Sequence, residues 1–299
     1  MNSDFVGGAL LVDKQQGVTS HDVVGKIRKL YGTRKVGHTG TLDPMATGLL
    51  LVLIGGSVKA SERLTDHGKA YVAEMKLGIT TDTADLTGSV TSSCDVIPDK
   101  SDVIAAAKSF VGVYMQTPPM YSAIKRGGKK LYEYAREGKT VEVEARPVVI
   151  FSLDISGDGD TYVMRVACSK GTYIRTLCED IGKKLGCGAA MSALRRVALG
   201  DFSVEDAVTT DALEAMSEGQ RLSRLIPPEK IFAHYPSVTL SDFYAKLCVN
   251  GCEIYQKKIK TDFSVGASVR VYSQNGFLGI GNVGEYPDGT AIKLVTRFS

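Results

Sequence analysis

Val148-Val-Ile-Phe-Ser-Leu-Asp-Ile-Ser-Gly-Asp-Gly-Asp-Thr-Tyr-Val-Met-Arg-Val-Ala-Cys-Ser-Lys-Gly-Thr-Tyr-Ile-Arg-Thr-Leu-Cys-Glu-Asp-Ile-Gly-Lys-Lys-Leu185 sets two strands, a turn and a helix in a row. Val148–Ser156 and Thr161–Ser169 are β-forming runs that meet at the turn Gly157–Asp160, and Thr172–Leu185 reads as a helix entered through Gly171. Upstream, Gly7–Lys14 reads as a strand ended at Gln16-Gly17, and Thr19 or Ser20 can cap a helix whose apolar stripe is Val23, Val24, Ile27 and Leu30. A buried apolar run follows at Leu49–Ile54, a strand at Lys69–Gly78 and a helix at Asp102–Val111. Strands interspersed with helices without strict alternation predict an α+β architecture.

The stretch between Pro118 and Pro147 is rich in Gly, Lys and Tyr and reads as a projecting basic insertion, about 122–147. After Pro227-Pro228 the texture changes to short strands at Ala267–Tyr272, Gly276–Val283 and Ala291–Val295, separated by turn residues. This predicts two domains, 1–233 and a small β-rich unit at 234–299.

With 43% hydrophobic and 23% charged residues the chain is expected to fold throughout. Leu49–Ile54 is stopped by Gly55 and Gly56, short of the roughly 18 residues that a spanning helix needs. The segment 1–30 lacks a leader pattern. The expectation is a cytoplasmic protein with no membrane association. The six cysteines show no Cys-x-x-Cys spacing, and the four histidines do not cluster with them, so reduced thiols and no metal site are expected.

The net charge is only +3, but it is unevenly spread. Asp22–His38 sets Lys26, Arg28, Lys29, Arg34 and Lys35 against one acid, and Lys125–Lys139 and Lys170–Arg196 each hold six bases against two acids. Gly200–Leu222 carries six acids against Arg221. Folded onto one face, the basic segments make a footprint for a polyanion, because neutralising phosphates releases counterions. Three separate solvated faces are the other reading.

Asp43 lies in the turn-rich loop Gly37–Gly48, and Pro44 stiffens the backbone that aims its carboxylate. Such a carboxylate is either part of a turn or, when a cation keeps it ionised, a covalent nucleophile toward a sugar or base carbon. Lys170 and Arg175 flank the start of the Thr172–Leu185 helix. Lys170 there suits a phosphate, and Arg175 either makes a surface ion pair or reaches a carboxylate in a shared cleft. Tyr71 on the Lys69–Gly78 strand is either a core packer or a platform for a flipped-out base, with its phenol placed for proton transfer.

His38-Thr-Gly-Thr-Leu-Asp43-Pro-Met-Ala-Thr-Gly48, Gly78-Ile-Thr-Thr-Asp-Thr83, Pro119-Met-Tyr-Ser-Ala123, Lys129-Lys-Leu-Tyr-Glu-Tyr-Ala135 and Ser169-Lys-Gly-Thr-Tyr-Ile-Arg-Thr176 closely resemble the bacterial tRNA pseudouridine synthase family of the B type. Order and spacing match over nearly all of positions 8–207. The resemblance implies a pseudouridine synthase fold: a long mixed, mostly antiparallel sheet with a central cleft, a thumb-like basic insertion, and a small RNA-binding domain of the PUA type. It implies conversion of uridine 55 in the T-arm of tRNA to pseudouridine by a monomer, with no cofactor and no obligate protein partner. By position, Asp43 is the nucleophile, Arg175 its ionic partner, and Tyr71 the residue that stacks on the base and removes a proton. Tyr173 and Leu194 line the uracil pocket, and His38 braces the space left when the base leaves its stack. Lys14, Lys170, Lys129 and Lys130 are expected RNA contacts. Gln15 follows Lys14 where the family commonly has proline, and the stretch from His234 resembles the family loosely.

The residues leave other readings open. One is an RNA-binding or RNA-folding protein without turnover. Another is a carboxylate-dependent glycoside hydrolase, for which a paired acid is not evident. A third is a pseudouridine synthase acting on other RNA.

Overall fold

A computed structural model describes residues 7–65 and 68–298, so the first six residues of the expected 1–233 unit lie outside the described residues. In chain order the first elements are β1 (Gly7–Lys14), α1 (Ser20–Leu30), β2 (Val36–His38), β3 (Thr47–Gly55), α2 (Ser61–Thr65) and β4 (Lys69–Leu77). Next come β5 (Ile79–Thr81), β6 (Val90–Ser93), α3 (Lys100–Lys108) and β7 (Gly112–Gln116). The insertion holds β8 (Lys125–Arg126), β9 (Lys129–Lys130) and α4 (Leu131–Arg136). It leads to β10 (Arg146–Asp158), β11 (Thr161–Cys168), α5 (Ile174–Leu185), β12 (Ala189–Leu199), β13 (Phe202–Ser203) and α6 (Thr210–Ala215). A second sheet is built from β14 (Ser237–Thr239), β15 (Ile254–Tyr255), β16 (Ser268–Ser273), β17 (Gly276–Tyr286) and β18 (Gly289–Arg297). Among the described residues no helix is long and apolar enough to cross a membrane.

The large sheet has nine strands in the order β1-β3-β12-β4-β11-β10-β7, with β2 added to β3 and β13 to β12. Its pairings are antiparallel except β3 with β12, which is the expected mixed, mostly antiparallel sheet. The apolar run of β3 is uninterrupted because both faces of this strand are covered. Leu50, Val52 and Ile54 enter the core beneath α1 and α5, while Leu49, Leu51 and Leu53 enter a second core with Phe232, Ile280 and Phe298. Each is fully buried, worth about 1.5–3 kcal/mol apiece, which makes β3 a fixed rail for whatever is attached to it. β4 has one covered face, so Tyr71, Ala73, Met75 and Leu77 alternate with half-exposed residues.

α1 starts where the expected cap lies. Thr19 and Asp22 form a capping box, and Val23, Val24 and Ile27 face the sheet. α5 begins at Ile174, two residues later than expected, and Arg175 is among its buried residues. β12, which pairs with β3 on one side and β4 on the other, was not expected from the sequence. It mixes arginines with apolar residues, and its shifts of register at Met191/Ala193 and Arg196/Ala198 break the period of two.

The second sheet is joined to the first by more than chain connection. Arg63 on α2 donates to Thr296 Oγ1 at 3.3 Å, Ser268 Oγ at 3.1 Å and Asn282 Oδ1 at 3.2 Å, and Phe298 packs on Phe232.

Gly48 sits where β3 leaves the Asp43 loop, at φ +99°, and a Cβ there would lie 2.3 Å from the carbonyl oxygen of Arg196. Gly48→Ala is therefore expected to combine a backbone penalty of about 1–3 kcal/mol with a clash between strands. Urea unfolding is expected to show a lowered midpoint at unchanged slope.

Candidate active site

The loop 39–46 leaves β2 and returns along β3, and the pairing of Val36 with Ile54 and His38 with Val52 closes its base. Inside it, Ala46 N–H donates to Asp43 O at 3.1 Å. So tight a loop cannot satisfy its own polar groups, and three outside side chains do so. Ser20 Oγ donates to Leu42 O at 3.1 Å and accepts from Leu42 N–H at 2.9 Å. Arg196 donates from Nη2 to Gly40 O at 3.1 Å and from Nε to Leu49 O at 2.6 Å.

The third brace is Lys14, and here the structure departs from expectation. Lys14 is fully buried, and its ammonium donates to Ala46 O at 2.6 Å, Gln15 O at 2.9 Å and Pro44 O at 3.3 Å. Burial pulls its pKa down to about 8, opposed by Asp43. All three of its protons point at backbone carbonyls beneath the loop, so Lys14 is a strut of the site and not a surface contact for RNA phosphate.

Arg175, 5% exposed, reaches the loop from α5. Its Nη2 lies 3.1 Å from Asp43 Oδ2. The same guanidinium donates to Tyr121 O at 3.0 Å and Thr83 O at 3.2 Å, and lies 3.4 Å from Asp85 Oδ2. Asp85 is itself buried and accepts from Thr83 Oγ1 at 2.9 Å, Thr87 N–H at 3.0 Å and the Thr87 hydroxyl. Asp43 differs from Asp85 in access, since 37% of its side chain remains open. Burial nevertheless pushes the Asp43 carboxyl above the usual range and Asp85 adds to this, while Arg175 and Lys14 pull it back. The expected cation is in place, and it offsets part of the dehydration that raises this carboxyl.

The other expected residues lie on β2, β4, β12 and the start of α5. Tyr71, 7% exposed, is directly opposite Arg196 across β4 and β12, and Leu194 is opposite Ala73 on the same pair. Tyr173 caps α5, and Gln116 fixes its peptide from both sides: Gln116 Oε1 accepts from Tyr173 N–H at 2.8 Å and Nε2 donates to Tyr173 O at 2.9 Å. The Arg146 guanidinium lies 5.6 Å from the centre of the Tyr173 ring. His38 meets the ring of His21 edge-on at 5.9 Å, and its buried Nδ1 has no hydrogen-bond partner. Burial, then His21 and Arg196, lower its pKa, so the imidazole is neutral at pH 7.

The surface cations are less free than their sequence suggests. Lys26 is held at 2.8 Å by both Asp211 and Glu214, so the acidic segment at α6 neutralises part of the basic face of α1. In the insertion, Lys129 pairs with Glu137 and lies over the Tyr134 ring, and Lys130 lies over Tyr132. Lys170 is exposed ahead of α5.

Sequence reasoning assigned no role to Asp85, Gln116 or Arg196. Asp85 stands just past the motif Gly78–Thr83 and Gln116 just before Pro118-Pro119, but nothing local marks a polar side chain as buried.

Because the Asp43 pKa is raised on folding, the folded state binds the extra proton and loses stability as pH climbs from about 4 through the raised value. Asp43→Asn is thus expected to melt above the parent at pH 7 and to lose that advantage in acid, as read by calorimetry across pH. Asp85→Asn removes the anion that orients Arg175. It is expected to lower the turnover of bound substrate by about 10² with little change in KM, in single-turnover and steady-state assays.

Comparison with known proteins places this geometry. The profile described as "TruB family pseudouridylate synthase (N terminal domain)" matches residues 28–174, and "tRNA pseudouridylate synthase B C-terminal domain" matches residues 175–232. The tRNA pseudouridine synthase B of Aromatoleum aromaticum is 44% identical over 278 residues, covering 93% of this chain and 89% of that protein. The protein of the same name from Dechloromonas aromatica is 44% identical over 280 residues, covering 93% and 92%. Among solved structures, a chain of a Cbf5-Nop10-Gar1 complex has TM-score 0.72 and 27% identity over 98% of this chain and 85% of its own. A chain of an H/ACA RNP bound to a substrate RNA containing 2′-deoxyuridine has TM-score 0.72 and 25% identity, over 99% and 86%. With the relatives matching over nine-tenths of its length, this chain belongs to the TruB family of pseudouridylate synthases.

Proposed function

We propose that the protein converts uridine 55 in the T-arm of tRNA to pseudouridine, with Asp43 as nucleophile. Uridine and pseudouridine contain the same atoms. The C1′–N1 bond breaks, the uracil turns, a C1′–C5 bond forms, and the proton lost from C5 is balanced by one gained at N1. A carboxylate that bonds the nucleotide, at the sugar or at the ring, holds the fragments between these events. The observation that carries the reading is a carboxylate open on one side and 3.1 Å from a buried guanidinium on the other.

Tyr71 is the proposed platform for the everted base and the acceptor of the C5 proton, with Tyr173 and Leu194 as pocket walls. Extracting a stacked base costs a few kcal/mol. Stacking on an aromatic ring returns about 1–3 kcal/mol, and phosphate contacts from Lys170 and the insertion lysines Lys129 and Lys130 supply more. His38, neutral and half-buried, is the proposed brace for the gap in the RNA. The unit from residue 234 is the proposed second RNA-binding surface, of the PUA type. The protein is proposed to act as a cytoplasmic monomer, with no added cofactor.

A second reading, a synthase for a different RNA, is favoured by the likeness to Cbf5 chains. Incubation with unmodified tRNA transcript, followed by carbodiimide mapping, separates the two. The expected outcome is one new pseudouridine at position 55. Asp43→Asn is expected to abolish it while tRNA affinity stays within a few-fold, and product from that variant would refute the nucleophile.

A further inference from the structure

Arg196 heads the large side chains that are completely buried, at 1% exposure. Its position on β12 sets it opposite Tyr71 on β4 and beside Gly48 on β3. Two of its nitrogens donate to backbone carbonyls, Leu49 O at 2.6 Å and Gly40 O at 3.1 Å, and its charge acts on the buried phenol of Tyr71, its partner across the two strands. The nearby carboxylates of Asp43 and Asp13 make their ion pairs with Arg175 and Arg195. The other groups that feel the charge of Arg196 are bases: Lys14, Lys69 and His38, each made harder to protonate by it.

A dehydrated guanidinium ordinarily has an anion beside it, since carbonyl dipoles alone repay little of its lost hydration. Apart from those already paired carboxylates, the group set against Arg196 that can become an anion is Tyr71, directly opposite it across β4 and β12. We propose that Arg196 is the standing counter-ion for a Tyr71 phenolate formed during the reaction, a positioning residue that makes the phenol usable as a base. This rests on the assignment of Tyr71 to proton removal.

The proton count is simple. The phenol first gives its own proton to solvent and regains it at the end of the cycle; in between, the phenolate takes the proton from C5, and the electron pair of that C–H bond returns to the uracil ring. The phenol then passes the proton on, through solvent, to N1, which holds the pair left by the broken C1′–N1 bond. Nothing is oxidised or reduced.

The charged and titratable groups that act on the Tyr71 phenol come from three elements: Arg196 on β12, Cys168 on β11 and Asp43 in the loop. Burial pushes the phenol up, and Arg196 is the group that opposes this most. The Cys168 thiol is itself pushed up to about 11 by burial and stays neutral at working pH. Asp43 works against the phenolate while it is a free anion. On bonding the nucleotide it loses that charge, so the opposition ends at the stage when a base is needed, and Arg196 remains.

The test places 3,5-difluorotyrosine at position 71, which lowers the phenol's intrinsic pKa into a measurable range, and reads its ionisation by fluorine NMR in the full-length protein. Arg196→Gln is expected to raise that titration by about one pH unit or more. It should also slow single-turnover pseudouridine formation about 10²-fold or more, with its alkaline rise displaced upward, while tRNA affinity is unchanged. Arg196→Lys, which keeps the charge, should restore most of the titration and part of the rate. Identical phenol titration in the Gln variant, or equal defects in the Gln and Lys variants, would overturn the proposal as a mere packing effect. Full activity in Tyr71→Phe would instead overturn the assignment of Tyr71 on which it rests.

Discussion

A carboxylate cannot be both dry and charged without a cation beside it, and the contact between Asp43 and Arg175 at 3.1 Å is how this protein meets that constraint. Arg175 is shared. Its two terminal nitrogens also reach Asp85, Thr83 O and Tyr121 O, so three separate chain segments end on one guanidinium. The planar fork suits this, because donors in fixed directions fix the groups that meet them. α5 supplies the rigid base, anchored by Ile174, Leu177, Cys178 and Ile181 in the main core, while Gln116 locks the peptide at its first turn.

The same economy runs through the rest of the loop. Lys14, Arg196 and Arg175 are all buried cations, and each donates to backbone carbonyls of irregular segments that no strand or helix could pair. Removing three cations from water is costly. What results is a loop with little freedom, carrying a carboxylate that keeps 37% of its side chain open, and a group that must be held within about 0.5 Å needs that rigidity.

Charges that are separate in sequence meet in space. Two of the six acids of the stretch Gly200–Leu222, Asp211 and Glu214, are drawn onto Lys26. The insertion is organised by lysines lying over its tyrosines, which presents aromatic and cationic groups together as RNA loops require.

The alternation of β4, β10 and β11, the capped helix α1 and the loop around Asp43-Pro44 were legible in the sequence, because each depends on residues within one or two turns of each other. The resemblance of five motifs in register carried the family. β12 was not legible, because its register shifts and arginines hide the strand period. The sequence by itself determined most of the strands and helices and the turn-rich loop that carries Asp43, since local periodicity and turn chemistry encode both. The tertiary structure decided that Lys14 and Arg196 are internal struts, that Asp85 stands behind Arg175 and that Tyr71 faces a buried cation. Those facts depend on burial and on long-range strand register, which no stretch of chain specifies alone.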